Sequence, residues 1–329
     1  MDKNLVRTDN IFFSIIIPTY NRSSFVVKMI DSFLKQTYPH FELIIVDDGS
    51  NDNTKAVIEN INDSRIKYFW KENGERGSAR NFGAKLAEGN YINYFDSDDI
   101  AYPNHLEMAQ EAIMHFKDPL VFHLGYEMRN ENNGLIYRHK PITGSANEKI
   151  LKVNYINPNP LFVHRDTLGS VSYNSDQGIS GTEDWLYHLQ LIARYTLLAY
   201  DKTVTNCMVL HANRSMNIYN GDAVLRRNSL LLKYLNEDSV FINKYGSNIT
   251  GIAAEMHGLA ALHYVLEHKR IRSLKEFYIS LKLSPSLILK KRTLAILKYL
   301  ILGISKADEF KTSDHNAIKN IEFFESNGN

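Results

Sequence analysis

Cysteine is nearly absent: Cys207 is the single one in 329 residues. That excludes a disulfide scaffold and any cysteine-based zinc site, and it fits a reducing compartment. Eight prolines and 17 glycines are too few for a collagen-like or Pro/Gly-rich disordered chain. No basic start followed by an apolar run opens the sequence, so no secretory signal is expected. Long uncharged runs are missing too. The most apolar late stretch, 285–304, is interrupted by Lys290, Lys291, Arg292 and Lys298. A spanning helix needs about 20 mostly apolar residues, so a membrane span is not expected there. Net charge is also small, +1 from 38 basic and 37 acidic residues, which argues against a nucleic-acid partner.

What is present is an ordinary globular composition, 44% apolar and 23% charged, long enough for one large domain or two smaller ones. The near-zero charge hides a division. Residues 269–306 hold ten Lys/Arg and one Glu, while 307–329 hold two basic and five acidic residues. The preceding 268 residues are therefore net acidic, and a basic segment follows them.

The first 130 residues alternate strand and helix patterns. Strands are expected over 12–17, 41–46, 66–70 and 90–95, with a further one over 120–127. Helices are expected over 23–35, 53–61, 78–86 and 103–116, the last with Pro103 near its first turn. This alternation predicts an α/β fold with a doubly wound, mostly parallel sheet, whose ligands sit at the carboxyl ends of the strands. Residues 131–182 are irregular and rich in Asn, Pro, Gly and Ser. A helix pattern returns over 183–195, and from about Asp222 the chain reads as helical.

Each early strand runs into polar residues: Pro18-Thr-Tyr-Asn-Arg22, Asp47-Asp-Gly-Ser50, Lys71-Glu-Asn-Gly-Glu-Arg-Gly77 and Asp96-Ser-Asp-Asp99. One Asp-Gly-Ser is a turn or a helix N-cap as readily as a site. Four such clusters on one sheet edge are harder to dismiss. If Asp96 and Asp98 continue a strand, alternation points both to one side. Two carboxylates there need a compensating cation, and carboxylate oxygens favour Mg²⁺ or Mn²⁺. An ion with so few protein ligands usually binds substrate phosphates as well.

Ser14-Ile-Ile-Ile-Pro-Thr-Tyr-Asn21, Val46-Asp-Asp-Gly-Ser50, Ala79-Arg-Asn-x-Gly83 and Phe95-Asp-Ser-Asp-Asp99 together resemble the family 2 glycosyltransferases. The likeness is strong over about 12–100 and moderate over about 160–215. It implies an inverting, metal-dependent enzyme of the GT-A fold using a nucleotide-sugar, of the bacterial cell-surface polysaccharide type. Pro18, Thr19 and Tyr20 would line the base pocket. Asp48 would hydrogen-bond the base, with an N-cap to the following helix as its alternative. Arg80 would reach the base or diphosphate, with a surface arginine as its alternative. Asp96 and Ser97 would lie by the ribose, Asp98 would be the main metal ligand, and Asp96 could share it. Asp99 doubles as a helix cap. Gly178-Ile-Ser-Gly-Thr-Glu-Asp-Trp185 resembles the second signature, making Asp184 the catalytic base and Glu183 a positioning group. His211, in Val209-Leu-His-Ala-Asn-Arg-Ser215, would lie near the diphosphate or metal. Trp185 packs in the core or walls the acceptor site.

These readings divide the chain into a catalytic domain, 1–218, and a helical region, 219–329. Within the first, about 11–100 binds the nucleotide-sugar and about 101–218 the acceptor. The partners are a nucleotide-sugar donor, UDP-linked, and a glycan or lipid-linked acceptor. Residues 285–304, basic and apolar, suit the surface of an anionic membrane, with packing on the protein or a homodimer as the alternatives. A cytoplasmic place, peripheral on the inner face of the membrane, follows. Two other classes stand as alternatives. A sugar nucleotidyltransferase would show a glycine-rich basic loop after the first strand, where this chain has Pro18-Thr-Tyr-Asn-Arg22. A non-catalytic nucleotide-binding homologue is disfavoured by the retained Asp96, Asp98 and Asp184.

Overall fold

A computed structural model of the chain describes residues 11–211 and 220–302. In chain order the strands are β1 (Phe13–Thr19), β2 (Phe41–Asp47), β3 (Ile66–Trp70), β4 (Tyr91–Tyr94), β5 (Ile100–Ala101), β6 (Val121–Asn130), β7 (Leu135–Arg138), β8 (Leu161–His164) and β9 (Leu197–Leu210). The helices of the first part are α1 (Ser23–Leu34), α2 (Thr54–Glu59), α3 (Glu75–Leu86) and α4 (His105–Phe116). Those of the second part are α5 (Ala146–Lys152), α6 (Glu183–Arg194), α7 (Gly221–Glu237), α8 (Ser239–Tyr245), α9 (Ile249–Leu266), α10 (Arg270–Leu283) and α11 (Lys291–Leu302).

Two compact units emerge: Met1–Thr143 with Ile156–Ser175 and Tyr195–Val209, and Gly144–Tyr155 with Asp176–Arg194 and Leu210–Asn329. The first is built on one sheet, ordered β3-β2-β1-β4-β8-β6-β9-β5, with β7 on β6. The four early strands are parallel, as the sequence pattern predicts. Beyond β4 the sheet turns antiparallel through β8 and β6, so it is mixed.

The parallel part explains its own sequence. Every residue of β1 and β2 is buried, and strands covered on both faces read as continuous apolar runs. Alternation then sorts them. Ile15, Ile17, Leu43 and Ile45 share a core with Val26, Met29 and Phe33 of α1. Ile44 and Val46 meet Ala79 and Phe82 of α3 on the other face. Gly83 makes that second contact possible: a Cβ there would lie 2.5 Å from Ile16 Cγ2 and 3.2 Å from Val46 Cγ2. Gly83→Ala is expected to destabilise the protein by about 1–3 kcal/mol through overpacking. Urea unfolding followed by circular dichroism reads this, and an unchanged midpoint would mean that α3 is free to shift.

Three local expectations change. Helix α3 starts three residues before the pattern suggests, at Glu75. Gly74 and Gly77 weigh against helix by propensity, yet tertiary contact requires Gly77: its Cβ would come within 2.4 Å of the Asn174 carbonyl oxygen. The irregular stretch 131–182 contains β7, α5 and β8, all short. No element was expected over 197–210, where β9 runs for 14 residues. Charged and exposed residues such as Lys202 break its alternation.

In the second unit α9 is the central helix. Ile252, Met256, Ala260, Ala261, Leu262 and Val265 are all buried, and α7, α10 and α11 pack on it. Helices therefore account for the described chain from Gly221 onward, as expected. No helix among the described residues is long and apolar enough to cross a membrane.

Candidate functional site

Parallel pairing brings the carboxyl ends of β1, β2, β3 and β4 to one edge. Thr19 pairs with Asp47, and Asp47 with Trp70. Pro18 lies inside β1 and is buried. Thr19 is buried, and its Oγ1 has no hydrogen-bond partner among the described residues. Tyr20 next to it is 46% exposed, so its ring is available to a ligand.

Asp48 does not cap α2. Helix α2 is preceded by Asn53, which makes no side-chain cap bond. Instead the Asp48 carboxylate, almost fully buried, accepts from Lys71 Nζ at 2.5 Å and from the Gly74 amide at 3.0 Å. Both contacts fall on Oδ1, which leaves Oδ2 for an N–H donor. Gly49, at φ +85°, makes the turn that allows this, and Asn73 closes it by donating to the Asp48 carbonyl at 2.8 Å. A side chain at Gly49 would be strained in that left-handed conformation.

Arg80 is not a surface residue. It projects from α3, is 2% exposed, and donates from Nη2 to Asp96 Oδ1 at 2.9 Å. Its guanidinium carbon lies 4.8 Å from the centre of the Tyr173 ring, a cation–π contact. Tyr173 is itself fixed. Its carbonyl accepts from Asn81 Nδ2 at 2.8 Å, its amide donates to Asn81 Oδ1 at 2.9 Å, and its ring meets Tyr94 edge-on. One helix thus presents Arg80, and the residue after it grips the aromatic floor under Arg80.

The Asp96–Asp99 carboxylates do come together, with oxygens within 4.8 Å of one another for Asp96, Asp98 and Asp99. Strand alternation is not the cause. β4 ends at Tyr94, and the four residues form a turn closed by the Asp99 amide on the Asp96 carbonyl. Asp99 is a strut. It is fully buried, accepts from the Val209 amide and from Asn159 Nδ2, each at 2.8 Å, and caps no helix. Asn159 Oδ1 in turn accepts from the Asp96 amide at 2.9 Å. Ser97 is buried in the same turn. Asp96 and Asp98 keep some exposure, and Arg22 Nη2 stands 3.8 Å from Asp98 Oδ2. Hard carboxylate oxygens, three within 4.8 Å of one another and two of them on partly exposed residues, fit Mg²⁺ or Mn²⁺.

A second ligand-type cluster, His123, His139 and Asp201, is buried elsewhere in this unit. His139 Nε2 and the Ile142 amide both bond Asp201 Oδ2, at 2.6 and 2.9 Å. Burial alone would raise the Asp201 pKa, but these bonds and the charge of His123 hold it below the usual carboxylate range. His139 and Asp201 thus hold each other within the core of this unit.

Within the second unit, α6 opens on Glu183 and Asp184, where two carboxylates suit the helix dipole. They differ in surroundings. Glu183 is buried and accepts from the Gly181 amide at 2.5 Å. Asp184 is partly exposed and accepts from the Trp185 amide at 2.8 Å. Trp185 packs inward, its indole N–H donating to the Ile150 carbonyl at 2.9 Å. His211 is buried directly after β9. The rest of its motif, 212–215, lies outside the described residues.

Residues 14–170 match the profile of Glycosyl transferase family 2. This segment belongs to glycosyl transferase family 2. A glycosyltransferase of Rickettsia typhi is 40% identical to the family 2 chain over 139 residues, covering 42% of this chain and 43% of the relative. The Escherichia coli UDP-Glc:alpha-D-GlcNAc-diphosphoundecaprenol beta-1,3-glucosyltransferase WfgD is 41% identical over 127 residues, 38% of this chain and 49% of the relative. The chain thus spans less than half the length of these curated relatives. Solved structures share the GT-A fold at low identity. One is S. aureus TarS 1-349 in complex with UDP-GlcNAc (TM-score 0.53, 19% identity, 81% of this chain and 89% of that one). Another is the Pyrobaculum calidifontis mannosyltransferase PcManGT in complex with GDP-Man and Mn²⁺ (TM-score 0.54, 16% identity, 97% and 88%).

Four residues of the chain were given no role by sequence reasoning. Lys71 was legible as part of a polar strand end, and Arg22 as the end of the first motif. Tyr173 and Asn159 carried no signal. Each lies in the irregular stretch, more than 60 positions from the residue it supports.

Proposed function

We propose that the chain is an inverting glycosyltransferase. It moves a sugar from a UDP-linked donor to a hydroxyl of a glycan or lipid-linked acceptor in cell-surface polysaccharide synthesis. The observation that carries this is the sheet edge where the parallel strands β2 and β4 run into Asp48 and into the Asp96–Asp99 turn, with Arg80 of α3 bonded to Asp96. The relative named for a UDP-Glc donor and a diphosphoundecaprenol acceptor, and the neighbour bound to UDP-GlcNAc, support the choice of substrates.

The residues divide the task. Tyr20 packs on the base, above Pro18 and Thr19, and Asp48 Oδ2 accepts the uracil N–H. Ser97 and Asp96 lie by the ribose, and Arg80 contributes its charge at the diphosphate. Asp98 and Asp96, with His211 a further candidate, would hold Mn²⁺ or Mg²⁺, which would supply positive charge to the leaving diphosphate. The acceptor oxygen forms a bond to the anomeric carbon as the bond to the diphosphate oxygen breaks. The electron pair leaves with the diphosphate, and Asp184 takes the hydroxyl proton. Glu183, turned onto the Gly181 amide, holds the start of α6.

Assaying UDP release from a panel of nucleotide-sugars with Mn²⁺ tests the reading. Turnover of one UDP-sugar, stimulated by an acceptor, is the expected result. Pyrophosphate release from a nucleoside triphosphate and a sugar phosphate would replace it with nucleotidyl transfer. The Arg80 floor gives a second test. Tyr173→Leu is expected to raise the donor KM about tenfold, as a desolvated cation–π contact of up to about 2 kcal/mol is lost, while Tyr173→Phe keeps it. Equal KM values for both variants would remove the ring from the argument.

A further inference from the structure

The sequence places membrane contact in 285–304, but the structure redistributes its charges. Lys290 and Arg292 turn onto Glu255, and Arg292 is buried. Two of the four basic residues are thus engaged within the protein. The helix before them supplies what they do not. On α10, Ser273, Glu276, Phe277 and Ser280 are buried against the rest of the unit, with Ser273 and Ser280 bonded to the Ala261 and Ala254 carbonyls of α9. The side left outward carries Ile271, Leu274, Tyr278 and Leu283, at 85%, 52%, 66% and 36% exposure. Exposed Arg270, Lys275 and Lys282 are interleaved with them.

Helix α11 repeats the arrangement. Arg292, Thr293, Ile296 and Tyr299 are buried. Lys291, Leu294, Lys298 and Ile301 are exposed at helical spacing. Leu289, in the connection between the two helices, is 85% exposed. The one acidic residue of 269–302, Glu276, is buried and paired with His257 at 2.6 Å. These stripes combine exposed apolar side chains with lysines and present no carboxylate of their own.

We infer that the outward faces of α10 and α11, with Leu289 between them, dock on an anionic lipid bilayer. Apolar side chains enter the headgroup boundary, and the lysines extend their stems along it to reach the phosphates. The chemistry disfavours a second copy as the occupant, since a twofold contact would set like-charged faces against each other. Glycosyl transfer plays no part in the inference, so the two stand or fall separately.

The test is co-sedimentation of the full chain with phosphatidylcholine vesicles, with and without phosphatidylglycerol. Binding to the anionic vesicles only, weakened by salt, is expected. Ile271→Glu combined with Leu289→Glu removes the apolar component, and Lys275→Glu combined with Lys282→Glu reverses two charges. All four positions are exposed, so circular dichroism and thermal midpoint should match the wild type. Each pair is expected to cut binding at least tenfold, since one basic residue near such a surface is worth roughly fivefold. Equal sedimentation with neutral and anionic vesicles would overturn the inference, as would unchanged binding by folded variants. So would a dimer in sedimentation equilibrium that Leu289→Glu dissociates in a protein that binds no vesicles.

Discussion

Asp98→Ala is expected to lower kcat by at least about 100-fold. A cation at a developing diphosphate charge contributes several kcal/mol, and each 1.36 kcal/mol is about tenfold in rate. Asp98 is partly exposed in its turn, unlike the buried Asp99. Asp99 is committed to Val209 and Asn159, and Asp96 to Arg80. The variant should fold. One contact it removes is a 3.8 Å pair with Arg22 near the surface, and such pairs contribute little to stability; the thermal midpoint checks that the variant folds. Calorimetry gives a readout independent of turnover. Mn²⁺ should strengthen UDP binding to the wild type and lose that effect in Asp98→Ala. Turnover within threefold of wild type, or an intact Mn²⁺ effect, would remove Asp98 from the metal site.

Asp184→Asn is expected to lower kcat by about 10²–10⁴-fold, the usual contribution of a general base. The donor KM should change little, because the donor contacts are assigned to other residues. The amide keeps an oxygen for the Trp185 N–H that Asp184 Oδ1 accepts, so α6 should start as before. Glu183→Gln is the companion. That side chain is buried on the Gly181 amide, so its change should appear mainly in the unfolding midpoint. Near-normal kcat in Asp184→Asn together with a large loss in a folded Glu183→Gln would exchange their roles.

The part of the fold that was legible is the part made by local pattern. β1 to α4 alternate because β1, β2 and β4 bury both faces, edge strand β3 is half-buried and each helix buries one face, and that periodicity is written in consecutive residues. The order of the strand ends along one edge follows from parallel pairing. What was hidden depends on distance along the chain. Nothing near Ala79-Arg-Asn81 announces Tyr173, and nothing near Asp96-Ser-Asp-Asp99 announces Asn159 or Val209. The acidic turn was found through an alternation that does not exist there, since the carboxylates gather by a tight turn. Asp48 shows how a turn motif misleads. Its spacing suits a cap, and only the approach of Lys71 and Gly74 shows the carboxylate pointing elsewhere. Helix propensity similarly hid the start of α3, because Gly74 and Gly77 look like breakers although packing requires Gly77. In the basic tail, residue types were readable but not their direction, so Lys290 and Arg292 counted as surface charge until Glu255 claimed them.

The Asp99 strut bears on how such a chain can be recombined. Its carboxylate is fully buried and accepts from two donors that lie downstream, at 159 and 209. β4, just before it, is bonded on one side to β1 and on the other to β8. A fragment ending near residue 100 would strip the Asp99 carboxylate of these two donors and would bare one edge of β4. The nucleotide-binding half is therefore not a transplantable cassette. A chimera that grafts a new acceptor half onto it must bring its own counterparts of Asn159 and the Val209 amide. Without them, the carboxylates proposed to hold the donor would lose the turn that gathers them.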